Sequence, residues 1–179
     1  MNAEVRRLFL ALWPDPAVRR ALVHLQQGLA PDIGRAVSPG NLHLTLVFLG
    51  ATPAARRQCI EEAVSGIRSG GFDLRLDRLG HWRKPEVLWA GSVAPPPLAA
   101  LVQALQSTVI RCGGKADPRP FEVHLTLYRK VRRPPRPLPG IAPIPWRIES
   151  FALVESTTAP AGAQYRVLRE WPLAASTSP

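Results

Sequence analysis

The chain has 179 residues, a formal net charge of +10 and a sequence pI of about 11.1. Its length suits one compact domain, and it contains no apolar run long enough to span a membrane. The N-terminal segment lacks the apolar stretch of a secretory signal, so we expect a cytoplasmic protein. The charge favours a polyanionic partner such as nucleic acid. The excess of 20 arginines over 3 lysines would also follow from a GC-rich coding bias.

The first half of the chain alternates strand and helix patterns. An apolar run at 7–13 predicts a buried strand. Asp15-Pro16 then supplies a helix cap followed by proline at the first helical position. Further patterns predict helices at 16–29 and 52–67 and strands at 42–49, 72–79 and 87–93.

The second half repeats this alternation. Three prolines at 95–97 open a helix that ends near 113, and strands are predicted at 121–128, 146–155 and 164–171. The proline-dense segment 131–145 must be a long surface loop. The final residues, 173–179, are expected to form a frayed tail. Together these elements predict an α+β fold, with a strand-rich centre and outer helices.

Two cysteines, Cys59 and Cys112, fall in predicted helices far apart in the sequence. In a cytosolic protein they are expected to be reduced thiols.

One tetrapeptide, His-Leu-Thr-Leu, occurs twice, at 43–46 and at 124–127. Because strand side chains alternate between faces, each copy places histidine and threonine on one face and both leucines on the other. A single copy is typical of any strand with a solvated polar face. Two identical copies indicate two pseudo-symmetric half-sites that face one cleft.

Such a pair suits acid–base chemistry on a phosphate. Histidine has an ordinary pKa of about 6.5 and can act as acid or base near neutral pH. One histidine would activate water while the other protonates the leaving oxygen, and each threonine hydroxyl would donate to a phosphate oxygen. Neither copy contains an acidic residue, and no cysteine or histidine has zinc-ligand spacing, so neither a metal site nor a cofactor is expected.

Nearly the whole chain resembles the RNA 2′,3′-cyclic phosphodiesterase family of two-histidine phosphoesterases, also called 2′-5′ RNA ligases. The similar segments are Arg-Leu-Phe-Leu-Ala-Leu at 7–12, Asn-Leu-His-Leu-Thr-Leu-Val-Phe-Leu-Gly at 41–50, Leu-Asp-Arg-Leu-Gly at 76–80, Leu-Trp-Ala-Gly at 88–91 and His-Leu-Thr-Leu-Tyr-Arg at 124–129. The resemblance implies one two-lobed domain over 1–179. Its pseudo-symmetric lobes of antiparallel sheet would carry outer helices and have the active-site cleft between them.

The resemblance also implies roles for individual residues. His43 would donate a proton to the leaving 3′ oxygen, and His124 would accept the proton of the attacking water. Thr45 and Thr126 would hold the phosphate, and Arg129 matches a family arginine that helps to bind it.

The sequence departs from the family pattern before the second motif, where Val123 replaces the usual proline. Strict alternation also places Arg129 on the face opposite His124 and Thr126, so its role requires a break at the end of the strand. Tyr128 shares the motif face by the same alternation, and we expect it to stack on a base.

Other candidates have simpler interpretations. His24 lies in a helix, and His81 is expected in a turn beside Trp82. A basic cluster follows the second motif, where contact with an RNA backbone and a merely solvated loop are both open. Its members are Arg129, Lys130, Arg132, Arg133 and Arg136.

The predicted function is hydrolysis of RNA 2′,3′-cyclic phosphate ends to 2′-phosphomonoesters by a monomeric enzyme. The partners would be RNA, including tRNA halves, or small cyclic nucleotides, with no membrane partner.

The same residues would serve 2′-5′ RNA ligation. A non-catalytic RNA-binding module would show a degraded motif, and a phosphohistidine mechanism would show a histidine triad or a Lys/Asp partner. The sequence has neither feature.

Overall fold

The computed structural model describes residues 4–30, 32–115, 117–160 and 162–174. Within them, strands and helices alternate along the chain, and a short 3-10 helix spans Pro39–Asn41. The α-helices are α1 (Pro16–Gln27), α2 (Ala54–Val64) and α3 (Pro96–Arg111). The strands are β1 (Val5–Leu12), β2 (Arg35–Ala36), β3 (Leu44–Pro53), β4 (Phe72–Leu76), β5 (Arg78–Trp82), β6 (Val87–Ser92), β7 (Val123–Arg129), β8 (Ile144–Ile148), β9 (Ser150–Ala159) and β10 (Gly162–Pro172).

The main sheet is antiparallel and has the strand order β10-β9-β1-β3-β7-β6-β5, with β2 also paired to β7. Its two halves, β10-β9-β1-β3 and β7-β6-β5, are joined through the pair Leu44–Leu125. Strands β4 and β8 form a separate antiparallel pair. The predicted α+β class, with antiparallel sheet and outer helices, is confirmed, and none of the described helices is long and apolar enough to cross a membrane.

The first strand shows how the sheet divides the interior. Leu8, Leu10 and Leu12 join the main core, which also takes in the buried faces of α1 and α3. Phe9 and Ala11 point to the opposite face and belong to a smaller apolar cluster that Trp13 and Tyr165 flank. The unbroken apolar run of β1 therefore reflects burial on both faces of the sheet.

Helix α1 begins as the sequence predicts. The Asp15 side chain accepts hydrogen bonds from the N–H groups of Ala17 and Val18, and Pro16 follows it. This arrangement satisfies two of the free N–H groups at the helix start.

Helices α2 and α3 pack against each other and against β3, and a disulfide joins Cys59 to Cys112. The prediction of two reduced thiols is therefore wrong. The two residues are 53 positions apart in the sequence, but the packing of the helices brings their Cα atoms to 5.8 Å. That separation is within the range that a disulfide can bridge.

Two predicted strands are divided in the structure. The segment 72–79 splits into β4 and β5, which lie in different sheets, and the segment 146–155 splits into β8 and β9. Buried residues alternate in β4 and in β8, and at each break two residues that are not buried, Asp77–Arg78 and Glu149–Ser150, interrupt the alternation.

The tail prediction is wrong for its first two residues. Leu173 is buried and its N–H donates to the Glu149 carbonyl, while Ala174 bridges Gly70. The rest of the predicted tail, 175–179, lies outside the described residues.

Candidate active site

The two copies of the tetrapeptide meet where the halves of the sheet join. Leu44 of the first copy pairs with Leu125 of the second, and both leucines are fully buried. His43 and His124 directly precede this pair, and both are partly exposed on the other face of the sheet. The leucines therefore anchor the strands, as the alternation predicts.

The antiparallel register gives each histidine the threonine of the other copy as its neighbour across the strands. Leu44 pairs with Leu125, so the next pair on one side of it is His43 with Thr126. The next pair on the other side is Thr45 with His124. The structure thus brings all four predicted polar residues to the join between the halves, in two equivalent cross-strand sets.

His43 is fixed in one tautomer. Its Nδ1–H donates to the Asn41 carbonyl at 2.7 Å, which leaves Nε2 to accept from the Thr45 hydroxyl at 3.0 Å. Burial, opposed by the hydrogen bond to Asn41 and aided by the charges of Arg129 and His124, lowers the pKa of His43 from 6.5 to about 4. Three aromatic rings surround the imidazole at centroid distances of 4.8, 5.7 and 5.0 Å, those of Phe9, Trp13 and Tyr165.

His124 repeats this arrangement. Its Nδ1–H donates to the carbonyl of Glu122 at 2.8 Å, two residues earlier, as His43 does to Asn41. The ring of Trp82 meets the imidazole edge-on at 4.6 Å. Burial lowers the pKa of His124 as well. Both histidines are therefore held with a lone pair on Nε2 when they are neutral.

A bulge follows each motif. Between β1 and β3 the register skips Leu46, so Leu46 and Val47 are both buried. Between β6 and β7 it skips Leu127, so Leu127 and Tyr128 are both buried. An extra residue in one strand reverses the faces of the residues that follow it.

The second bulge decides the positions of Arg129 and Tyr128. It supplies the break that Arg129 required, and Arg129 lines the same cleft as His43 and Thr126. The expectation that Tyr128 shares the motif face is wrong, because the bulge turns it into the core. Tyr128 is only 6% exposed and its hydroxyl donates to the Gln26 carbonyl, so its ring is not available to a base.

Gln26 in α1 holds this bulge and was not singled out by the sequence. Its buried side-chain amide donates to the carbonyls of Val37 and Leu127, at 3.0 and 2.8 Å. The Val37 N–H donates to the same Leu127 carbonyl. A helix glutamine offers no sequence pattern that would reveal such a role.

A cleft of about 210 Å³ opens on the His43 side of the join, and we call it the His43-side cleft. Its lining includes the cations Arg35, Arg129 and Lys130, and the ring of Tyr165. Among the described residues that line it there is no carboxylate. The sequence did not predict Arg35 and Tyr165 as site residues, because no local pattern shows that their strands lie near His43.

A cleft of about 750 Å³ opens on the other side, beside Thr45 and His124, and we call it the His124-side cleft. Its lining combines aromatic rings with charges of both signs. The rings are those of Phe48, Trp82 and Phe121, and the charged residues are Lys84, Asp117, Arg119 and Glu122.

The two remaining histidines lie outside the motifs, and part of the basic cluster lies beside them. His24 is exposed near the end of α1. His81 lies in β5 rather than in a turn, and its Nε2 bonds to the Val131 carbonyl at 2.8 Å. Of the basic cluster, Arg129 and Lys130 line the His43-side cleft. No three His, Cys, Asp or Glu side chains in the described ranges lie close enough to share a metal ion.

Comparison with known proteins identifies the family. A model of the 2′-5′ RNA ligase superfamily matches residues 13–159. The chain belongs to this superfamily. An RNA 2′,3′-cyclic phosphodiesterase of Escherichia coli is 34% identical over 96% of this chain and 98% of its own length. Its namesake from Thermus thermophilus is 33% identical over 93% of this chain and 90% of its own length.

Solved structures share the fold of this chain. E. coli LigT in its apo form has a TM-score of 0.89 at 32% identity, covering 96% of this chain and 99% of LigT. The complex of LigT with 3′-AMP has a TM-score of 0.88 at 33% identity, covering 95% and 99%. The family resemblance predicted from the sequence motifs is thus confirmed.

Proposed function

We propose that this chain is an enzyme that hydrolyses 2′,3′-cyclic phosphate at RNA 3′ ends and leaves a 2′-phosphomonoester. The observation that carries the proposal is the antiparallel pairing of Leu44 with Leu125, whose register sets His43 beside Thr126 in one cleft and Thr45 beside His124 in the other. Superfamily relatives named RNA 2′,3′-cyclic phosphodiesterase support the same chemistry.

The arrangement supports a division of labour between the histidines. His124 takes the proton of a water molecule through Nε2, and that water attacks phosphorus. The bond from phosphorus to O3′ breaks, and protonated His43 gives its Nε2 proton to O3′. The hydroxyls of Thr45 and Thr126 and the guanidinium of Arg129 stabilise the charge on the phosphate oxygens.

The substrate class follows from the cleft on the leaving-group side. Its cations Arg35, Arg129 and Lys130 suit the phosphates of an RNA chain, tRNA halves included, or the phosphate of a small cyclic nucleotide. From the sequence we also infer a monomeric protein in the cytoplasm.

Turnover of a nucleoside 2′,3′-cyclic phosphate tests the proposal. We expect the 2′-phosphate isomer as product, identified by chromatography against both isomers, with full activity in EDTA. Release of the 3′-phosphate isomer would reverse the roles given to O2′ and O3′. Activity abolished by EDTA and restored by a divalent ion would replace the two-histidine mechanism with a metal one.

A further inference from the structure

The two motif histidines are held unequally. His43 has hydrogen bonds at both ring nitrogens, because its Nδ1–H donates to the Asn41 carbonyl and its Nε2 accepts from the Thr45 hydroxyl. Within the described part of the chain, His124 has a hydrogen bond only at Nδ1, to the Glu122 carbonyl. The last torsion of a histidine side chain is broad, so another contact is needed to fix the plane of the His124 ring.

Trp82 makes that contact. Its ring meets the His124 imidazole edge-on, with the centroids 4.6 Å apart, and lies 5.4 Å from the ring of Trp89. Trp82 is partly exposed and lines the His124-side cleft, whereas Trp89 is only 5% exposed and lines neither cleft. The three rings therefore form a row that runs from a buried indole to the histidine beside the cleft.

Trp89 is buried on the face of the sheet that carries the motif histidines. Its neighbours across the strands are Gly80 in β5 and Thr126 in β7, while Leu88 and Ala90 on either side of it belong to the main core. The Nε1–H of Trp89 is buried and has no hydrogen-bond partner among the described residues. An unpaired buried N–H destabilises a fold, so stability alone does not explain an indole at this position.

Two glycines provide a seat for this indole. A Cβ added at Gly80 or at Gly91 would overlap the six-membered ring of Trp89. Gly80 pairs with Trp89 itself, and Gly91 pairs with His124. Neither glycine has a positive φ, so the close approach of the indole, rather than the backbone conformation, requires glycine at these positions.

We propose that Trp82 is a positioning residue for His124, held against the imidazole by Trp89 on its seat of two glycines; this rests on the proposed function. The edge-on contact fixes the plane of the imidazole, with Nδ1–H on the Glu122 carbonyl and Nε2 toward the attacking water. His124 then takes the proton of that water without first turning its ring. The contact also buries one side of the histidine, and burial is the main cause of its lowered pKa.

The charges around His124 have opposing effects on its pKa. Glu122 raises it, and Arg119 and Arg129 lower it. Lys84 and Asp117 line the same cleft. The substitutions that test the proposal change no charge, so a change that they cause in the pKa of His124 reports its burial.

Nitrogen NMR of His124 tests the contact in the absence of substrate. In the parent we expect one neutral tautomer, with the proton on Nδ1. In Trp82→Ala the Nε2–H tautomer should appear and the pKa should rise toward about 6.5, because the ring is free to turn and better solvated. Trp82→Phe should restore the single tautomer and the lowered pKa. An unchanged tautomer and pKa in Trp82→Ala would overturn the proposal.

Gly80→Ala and Trp89→Phe test the buried part of the row by kinetics. Neither residue lines a cleft, so we expect an unchanged KM for a nucleoside 2′,3′-cyclic phosphate and a kcat that is roughly 10- to 100-fold lower. Gly140→Ala is one matched control, because a Cβ there meets nothing within 4 Å. Trp171→Phe is the other, because Trp171 is about as buried as Trp89 and lines neither cleft. A kcat in Trp89→Phe no lower than in Trp171→Phe would refute the proposal.

A double variant shows whether the buried residues act through Trp82. Gly80→Ala should lower kcat by a smaller factor in Trp82→Ala than in the parent. Equal factors in both backgrounds would mean that Gly80→Ala acts by another route, such as Thr126 beside Trp89, and the proposed row would be wrong. Trp82 is partly exposed, so its own variants still decide the matter if Gly80→Ala does not fold.

The NMR measurement separates this proposal from the proposed function. It follows His124 without turnover. If the parent opens no cyclic phosphate but His124 still responds to Trp82→Ala as expected, the proposed hydrolysis fails and the positioning contact stands. If the parent is active and His124 does not respond, the positioning contact fails and the hydrolysis stands.

Discussion

At the scale of single residues, each motif histidine is fixed by the backbone two positions before it. Nδ1–H of His43 donates to Asn41 and that of His124 donates to Glu122. Both rings therefore leave Nε2 free of this backbone bond, and the proposed roles use it as the reacting nitrogen. In the assigned roles, one Nε2 must be neutral and the other protonated when the substrate is bound.

Removal of either histidine tests these roles. We expect His43→Ala and His124→Ala each to lower kcat by roughly 10²- to 10⁴-fold, the usual contribution of one acid–base group. The kcat of the double variant should be little lower than that of the less active single variant, because the two groups act as one unit. Steady-state kinetics measure this, and circular dichroism checks that each variant is folded. Near-full activity in either folded variant would show that its histidine is not part of the chemistry.

The pH dependence follows from the lowered pKa values. Burial brings the pKa of His43 to about 4 and also lowers that of His124. Since kcat/KM reports the free enzyme, its bell-shaped profile should have its maximum below pH 6.5. A bound phosphate anion favours the protonated imidazole and raises both pKa values, so the maximum of kcat should lie at higher pH. A kcat/KM that still increases above pH 7 would contradict this account.

The pKa of His43 also predicts how stability changes with pH. An unfolded histidine with a pKa of about 6.5 binds its proton before the folded one does. The stability from neutral, buried His43 is therefore complete above pH 6.5 and is lost as the pH falls through 4. Between pH 7 and pH 4 the parent should lose up to about 3 kcal/mol more unfolding free energy than His43→Gln. Urea denaturation at several pH values measures the unfolding free energy of both proteins. An equal dependence on pH in the parent and in His43→Gln would refute this prediction.

At the scale of elements, the sequence predicted the faces of β3 and β7 as far as the second leucine of each motif and not beyond. Alternation fails after Leu46 and Leu127, at Val47 and Tyr128, because each bulge depends on pairing with a neighbouring strand. No residue type in the motif marks the extra position. For this reason Arg129 could be placed only conditionally, and Tyr128 was assigned to the wrong face.

The same limit applies to partners that are distant in the chain. The capped start of α1 and the burial of β1 on both faces are local properties, and both were predictable. The disulfide between Cys59 and Cys112 and the pairing of β4 with β8 depend on how elements pack, which a local pattern does not contain.

The link between α1 and the second bulge gives a test at this scale. Gln26→Leu removes the side-chain amide that donates to the carbonyls of Val37 and Leu127 and leaves that of Leu127 with the Val37 N–H alone, and we expect it to cost about 1–3 kcal/mol. It should also lower kcat/KM by misplacing Arg129, so that Arg129→Ala costs less in this background than in the parent. The control is Gln27→Leu, since Gln27 is the exposed neighbour on the same helix. If Arg129→Ala lowered kcat/KM by the same factor in the parent and in Gln26→Leu, the bulge would not position Arg129.

At the scale of the whole molecule, the net charge of +10 is unevenly placed around the site. The His43-side cleft collects three cations, whereas the lining of the His124-side cleft is balanced. The loop after β7 adds Arg132, Arg133 and Arg136, which line neither cleft. Arg132 is 81% exposed and pairs with Glu86 at 3.5 Å. Because these arginines lie outside both clefts, the prediction that the loop contacts RNA can be tested independently of the predicted catalysis.

Salt dependence distinguishes these two sets of cations. Each phosphate contact on single-stranded RNA contributes about 0.7 to the slope of log affinity against log salt. If the loop touches RNA, replacing Arg132, Arg133 and Arg136 together by alanine should reduce this slope by up to about 2 for an oligonucleotide with a cyclic end. Turnover of a mononucleoside 2′,3′-cyclic phosphate should barely change, because that substrate has no upstream backbone to reach the loop.

Arg129→Ala should behave differently from the triple variant. Because Arg129 lies in the same cleft as His43 and Thr126, its loss should slow the oligonucleotide and the mononucleoside alike. Binding is measured by fluorescence anisotropy over a range of salt concentrations, and turnover by product chromatography. Identical slopes for the triple variant and the parent would mean that the loop is only solvated. The attraction of the enzyme for RNA would then depend on the cations within the His43-side cleft.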